Sequence, residues 1–157
     1  MNTDDHLYRR GVGVMLLNAE GKVFVGARID NPEDAWQMPQ GGIDTGEEPW
    51  ATALRELEEE TGIASSLVER ITCCPERLRY ELPEEWRPRL WGGNWLGQEQ
   101  DWFLARFLGR DEDVNIATGH PEFRAWKWVE PARLPELIVP FKRDLYRRLL
   151  DEFSDYL

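Results

Sequence analysis

Thiols are scarce in this chain. Cys73 and Cys74 are the only cysteines, and they are adjacent. Neighbouring cysteines bridge each other only under strain, and neither residue has the spacing of a zinc site, so two reduced and inert thiols are expected. Long apolar runs are missing too: none approaches the roughly 20 residues of a membrane span. The opening Met1-Asn2-Thr3-Asp4-Asp5-His6 is acidic and polar, with no signal-peptide core behind it, and a cytoplasmic protein is the expectation. Basic charge is short: 19 Lys and Arg stand against 30 Asp and Glu, for a net charge of −11. That argues against a broad electrostatic grip on nucleic-acid backbone. There is no internal repeat, no low-complexity segment and no P-loop. Gly11-Val12-Gly13 lacks the third glycine of a dinucleotide fingerprint.

What is present suits one domain spanning 1–157, with 41% hydrophobic residues. Gly11 to Leu17 reads as a buried strand. Asn18-Ala19-Glu20-Gly21 reads as a turn and Lys22 to Arg28 as the second strand of a hairpin. Asn31 to Asp34 is a loop, and Trp36-Gln37-Met38-Pro39 a short extended piece. A helix is expected from Pro49 to Thr61, with proline suited to its first position and Gly62 to its exit. One or two strands follow between Val68 and Leu82. A long irregular stretch carries Trp86, Trp91 and Trp95, and strands are expected at Gln98–Phe107 and Phe123–Val129. The tail from Phe141 to Phe153 reads as an amphipathic helix, with Leu145 and Leu149 at intervals of four. Strands around one internal helix and ending in another predict an α+β domain.

The internal helix carries the chemistry. At about 100° per residue, Glu56, Glu59 and Glu60 share an arc of about 100°. Ala53 and Leu57 open an apolar face beside it, and Glu58 points away from both. Carboxylates on adjacent turns repel each other, and a hard divalent cation removes that penalty. A solvated acidic face explains the helix equally well when it is taken alone. The flanking residues decide between these readings. Gly41, Glu47, Arg55-Glu56-Leu57, Glu59-Glu60 and Gly62-Ile63 fall at nine defined positions across 23 residues.

This pattern resembles the Nudix box at every defining position. The resemblance implies a loop–helix–loop on a mixed β-sheet sandwiched between α-helices. It implies that Glu56, Glu59 and Glu60 bind Mg²⁺ or Mn²⁺, that Arg55 orients Glu59 and partners Glu47, and that water attacks phosphorus in a phosphoanhydride. Beyond the box, Tyr8-Arg9, Trp36 to Ile43, Gly97-Gln98, Trp102-Phe103, Pro121-Glu122-Phe123, Trp126 to Val129 and Pro140 to Arg143 resemble the bacterial RNA pyrophosphohydrolase branch. That branch removes pyrophosphate from RNA 5′ ends and so bears on mRNA decay. The same residues are similar to plant-type diadenosine tetraphosphate hydrolases, which makes a dinucleoside polyphosphate the alternative substrate. A third reading is a catalytically silent Nudix module that binds nucleotides, which the intact glutamates oppose.

By resemblance, Glu122 joins the metal site, and Glu122, Glu59 or Glu60 serves as general base. Arg9, Arg28, Gln40, Val139, Phe141 and Lys142 match positions around the 5′ nucleotides and phosphates. Phe141 also opens the tail helix, so core packing is the competing expectation for it. One departure stands out: Asp101 occupies a position where the branch usually has lysine, which would remove a cation near the phosphate path. The Trp86–Trp95 stretch is either a lid over a base or a loop pinned by its indoles.

Overall fold

Asn18 sets the first turn. Its Oδ1 accepts from the main-chain N–H groups of Glu20 (3.0 Å) and Lys22 (2.9 Å), while Gly21 takes a left-handed φ of 79°. This turn joins β1 (Tyr8–Leu17) to β2 (Val23–Arg28) as the expected antiparallel hairpin. The computed structural model describes residues 7–157, with Trp91 lacking a described side chain, and the acidic Met1–His6 opening lies outside the described residues.

Strand β1 begins three residues before its expected start. The reason is a remote partner: β6 (Gly97–Phe107) runs parallel to it from Tyr8 opposite Gly97 to Leu17 opposite Arg106. The remaining strands are β3 (Gln40–Gly42), β4 (Val68–Cys73), β5 (Leu78–Glu81) and β7 (Phe123–Val129). The sheet order is β4-β6-β1-β2-β7, with β3 added on β1 and β5 on β6. Two strands, β4 and β5, thus occupy the stretch expected to hold one or two. The extended piece at 36–39 makes a single bridge, Gln37 to Gly26, and regular pairing begins only with β3.

Alternation along the strands separates two cores. Val12, Val14, Leu16, Phe103 and Ala105 face Ala53 and Leu57 of α1 (Pro49–Thr61). Met15, Leu17, Trp102 and Leu104 face α2 (Leu134–Leu137) and α3 (Arg143–Glu152). Each such side chain contributes about 1.5–3 kcal/mol on burial. The result is a mixed sheet between helices, as the α+β expectation required. Cys73 and Cys74, both free, fall on opposite faces.

The tail helix starts at Arg143, two residues later than expected, because Pro140-Phe141-Lys142 forms a separate 3₁₀ turn. Leu145, Leu149 and Phe153 keep the interval of four and are buried. Tyr146 joins them, and its hydroxyl oxygen accepts from the Met38 N–H at 2.8 Å. That bond ties the tail to the segment leading into β3. Among the described residues, no helix is long and apolar enough to cross a membrane.

Candidate active site

Helix α1 is capped at both ends by residues of the box segment. Glu48 accepts from the Ala51 N–H at 2.8 Å, Pro49 occupies the first turn, and Gly62 exits at φ 72° with its N–H bonded to the Glu58 carbonyl at 2.8 Å. The helix therefore runs for its full expected length and fixes the glutamates in phase. Glu60 is only 4% exposed and Glu56 is half-buried, while Glu58 and Glu59 are exposed.

Glu56 and Glu60 open into a cavity of about 600 Å³. Its carboxylates form one group, since Glu56, Glu60 and Glu122 act on one another and Glu56 lies against Gly41; Tyr80, Trp86, Phe141 and Lys142 pack together as another, and Gly42 and Val139 also line the wall. Arg9, Arg28 and Gln40 also line it. The cavity thus gathers nine sequence-predicted residues from six separate stretches of chain: Arg9, Arg28, Gln40, Glu56, Glu60, Glu122, Val139, Phe141 and Lys142. Glu59 and Arg55 do not line it; they sit in an adjoining depression with Glu58 and Ser65. Arg55 holds Glu59 there, at 3.0 Å, and grips Glu47 with two hydrogen bonds of 3.1 and 3.2 Å.

The carboxylates of the acidic end are in electrostatic conflict with one another. Burial, then the charges of Glu59 and Glu122, push the Glu56 carboxyl up to about 7. Burial, then Glu56 and Glu122, push Glu60 well above the usual carboxylate range. Glu60 Oε2 is buried with no hydrogen-bond partner, an arrangement a native fold leaves only for a reason. A Cβ on Gly41 would strike the Glu56 carboxylate, so glycine is needed for that carboxylate to lie against the β3 backbone. All the donors are hard oxygens, which suits Mg²⁺ rather than a soft metal. Among the described residues, no three acidic, histidine or cysteine side chains are already gathered closely enough to hold an ion. Arg55 keeps Glu59 aside, and Arg28 reaches Glu122 at 3.4 Å.

Cations line the remaining wall. Arg28 makes two 2.8 Å bonds to Asp30, which hold the Asp30 carboxyl below its ordinary range. Lys142 is buried with its ammonium 4.8 Å from the Tyr80 ring centre. Burial, then the Arg28 charge, lower it to about 7. Phe141 lines the cavity and also packs against the core that faces α2 and α3. Its ring stands 5.2 Å from Trp86 and 6.0 Å from Tyr80. Asp101 is absent from the cavity lining; it pairs with Arg10 at 3.0 Å and Arg77 at 3.7 Å. Asp101 therefore puts no negative charge on the cavity wall.

The NUDIX domain family matches residues 7–149. The chain belongs to the Nudix family. It is 57% identical to the RNA pyrophosphohydrolase of Erythrobacter litoralis over 156 residues, covering 98% of this chain and 95% of the relative. It is 56% identical to the RNA pyrophosphohydrolase of Roseobacter denitrificans over 150 residues, covering 96% and 94%. In fold it resembles the C. elegans Ap4A hydrolase, with a TM-score of 0.67, 21% identity and coverage of 94% and 99%. It also resembles the E. coli dihydroneopterin triphosphate pyrophosphohydrolase, with a TM-score of 0.72, 21% identity and coverage of 92% and 98%. Nudix hydrolases generally use divalent metals such as Mg²⁺. Within this Nudix site, sequence reasoning missed Asp30, Gln37, Tyr80 and Gln98, all on the cavity wall. Gln37 is buried with an unpartnered amide nitrogen, and only its place in the motif Trp36 to Ile43 could have flagged it.

Proposed function

We propose that this chain hydrolyses a phosphoanhydride at the 5′ end of triphosphorylated RNA, releasing pyrophosphate and leaving a 5′ monophosphate. The observation that supports this reading is one cavity joining buried carboxylates to an aromatic and cationic end, in a chain 57% identical to an RNA pyrophosphohydrolase along nearly its whole length. Water attacks phosphorus, the P–O anhydride bond breaks, and the pyrophosphate leaves. Glu56, Glu59, Glu60 and Glu122 would hold Mg²⁺ or Mn²⁺, with Arg55 releasing or orienting Glu59. When bound, the ion neutralises charge on the phosphate oxygens and acidifies water.

The chain's own groups do the rest. Arg9, Arg28 and Lys142 hold phosphate, with Arg28 exchanging its fork from Asp30 to the substrate. The proton of the attacking water passes to the carboxylate set of Glu59, Glu60 and Glu122. Phe141 stacks on a 5′-proximal base beside Val139, and Trp86 closes over it. The free thiols and an RNA substrate support a cytoplasmic setting. The likeness to Ap4A hydrolase structures, at 21% identity, speaks for fold alone.

The test is turnover of a triphosphorylated short RNA against diadenosine tetraphosphate, each with Mg²⁺. The RNA should be favoured by tenfold or more in kcat/KM. A preference of that size for diadenosine tetraphosphate overturns the reading.

A further inference from the structure

A chain of buried hydrogen bonds runs behind the cavity. The Trp102 indole N–H donates to Gln100 Oε1 at 2.7 Å. Gln100 Nε2 donates to Gln98 Oε1 at 2.7 Å and to Gln40 Oε1 at 3.1 Å. The Tyr80 hydroxyl donates to Gln98 Oε1 at 3.1 Å. Trp102 and Gln100 are fully buried, and Gln98 nearly so; Gln40 reaches the cavity.

The direction of this chain is decided at one end. An indole N–H donates and never accepts, so the Gln100 oxygen must face Trp102. Its nitrogen must then face the two other glutamines, and their oxygens must face inward. A reversed Gln100 would leave the buried indole N–H against an amide nitrogen, with neither satisfied. Trp102 cannot turn away: a Cβ on Gly13 would meet its ring at 2.5 Å, and Tyr146 stands edge-on at 6.3 Å. Gly11 is equally constrained, since a Cβ there would meet the Gln98 nitrogen at 2.5 Å. Both glycines of the Gly11-Val12-Gly13 stretch are therefore accounted for by this relay.

The outcome at the cavity is a fixed polarity. The Gln40 oxygen is engaged behind the wall, so its amide nitrogen is turned the other way, where one N–H donates to the Tyr80 hydroxyl and the second is left for a ligand in the cavity. We propose that Gln100, directed by Trp102, is a positioning residue that locks Gln40 as a hydrogen-bond donor to a non-bridging phosphate oxygen of the substrate. The inference rests on the phosphoanhydride reading above but not on RNA as the substrate. The Gln40 main chain bonds to Glu60 while its side chain reaches Gln100 and Tyr80, so the residue stands between the carboxylates and the aromatic end, beside the place where phosphate must arrive. A neutral donor suits that place. A guanidinium there would be captured by carboxylates, as Arg55 is by Glu59, whereas an amide hydrogen-bonds phosphate and leaves the glutamates free. Unlocked, Gln40 could present its oxygen and repel the same phosphate.

The experiment is a double-mutant cycle with KM, kcat and melting temperature as readouts. Once ionised, Gln100→Glu offers only acceptors behind the wall, so Gln40 must turn its nitrogen inward and its oxygen outward; burial raises such a carboxyl, so KM is followed as pH rises and is compared with Gln100→Met at each pH. KM for the preferred substrate should rise about tenfold with kcat within about threefold. Gln100→Met, which removes the lock without reversing it, should raise KM by no more than a few-fold. Gln40→Met alone should raise KM by several-fold. In the Gln40→Met background, Gln100→Glu should change KM by less than twofold. An equal rise in both backgrounds, or an unchanged KM in Gln40→Met, overturns the proposal. Should Gln100→Glu melt below the assay temperature, Gln40→Glu makes the same exchange at the presenting end, and its KM must exceed that of Gln40→Met. Diadenosine tetraphosphate carries the same phosphate oxygens, so an enzyme that prefers it sinks the RNA reading while the cycle is read on that substrate.

Discussion

The two ends of the cavity are built in opposite ways. The acidic end comes chiefly from one helix and the glycines just before it, and its groups are in electrostatic conflict: Glu56 and Glu60 are buried beside each other, and one Glu60 oxygen has no partner. The aromatic end is assembled from β5, the stretch after it and the turn before α3, and its groups already satisfy one another through Tyr80, Trp86, Phe141 and Lys142. The contrast teaches that the first end is held against its own repulsion by the fold, while the second is held by its own packing. Loss of function should therefore be steep at the acidic end and graded at the aromatic one.

The sharpest break of that comparison comes from the helix. Glu60→Gln and Glu59→Gln should each lower kcat by about 10²–10³, the usual cost of removing a group that stabilises transition-state charge. Glu58→Gln should stay within a few-fold, because Glu58 lies off the arc shared by Glu56, Glu59 and Glu60. Equal losses in all three would show that the arc shared by Glu56, Glu59 and Glu60 is not the working one.

At the aromatic end, Phe141→Ala should weaken capture of triphosphorylated RNA by about 1–3 kcal/mol, the value of a lost stack. Diadenosine tetraphosphate hydrolysis should suffer less. Phe141 is only half-buried, so the melting temperature should fall by less than the loss of a fully buried phenylalanine, about 3–5 kcal/mol, would bring. Parallel losses on both substrates with a large drop in melting temperature would assign Phe141 to the core instead.

Stability against pH separates the ends more gently. Glu56 and Glu60 both titrate above their ordinary range in the fold. The folded state therefore keeps protons that the unfolded chain has released, and stability falls as pH rises through that window. In chelator, the melting temperature should decline by a few degrees between about pH 5 and pH 7, and Mg²⁺ should abolish the decline. A flat curve in chelator would mean that the carboxylates are not in conflict. The smallest effect expected is that of Asp101→Asn. Its partners, Arg10 and Arg77, lie off the cavity, and exposed or half-exposed pairs are worth about 0–1 kcal/mol, so kcat/KM should change by less than twofold. A larger change would return Asp101 to the phosphate path.

Local chemistry made the acidic helix legible from the chain alone. The spacing of Glu56, Glu59 and Glu60, the proline at its start and Gly62 at its exit act within one or two turns, and short-range rules suffice for them. The hairpin turn at Asn18 was legible for the same reason. Tertiary structure decided what depends on remote partners. It buried Glu60 but left Glu59 against Arg55, though both lie on the same arc. It lengthened β1 because β6 lies beside it, and it turned Asp101 away from the cavity. It also joined Gln40 to Trp102 through Gln100. A helical wheel gives angle but not depth, and a strand's alternation gives face but not neighbour. Depth and neighbour are set only when the sheet is assembled, and they determine which carboxylates are desolvated and which amide faces the substrate.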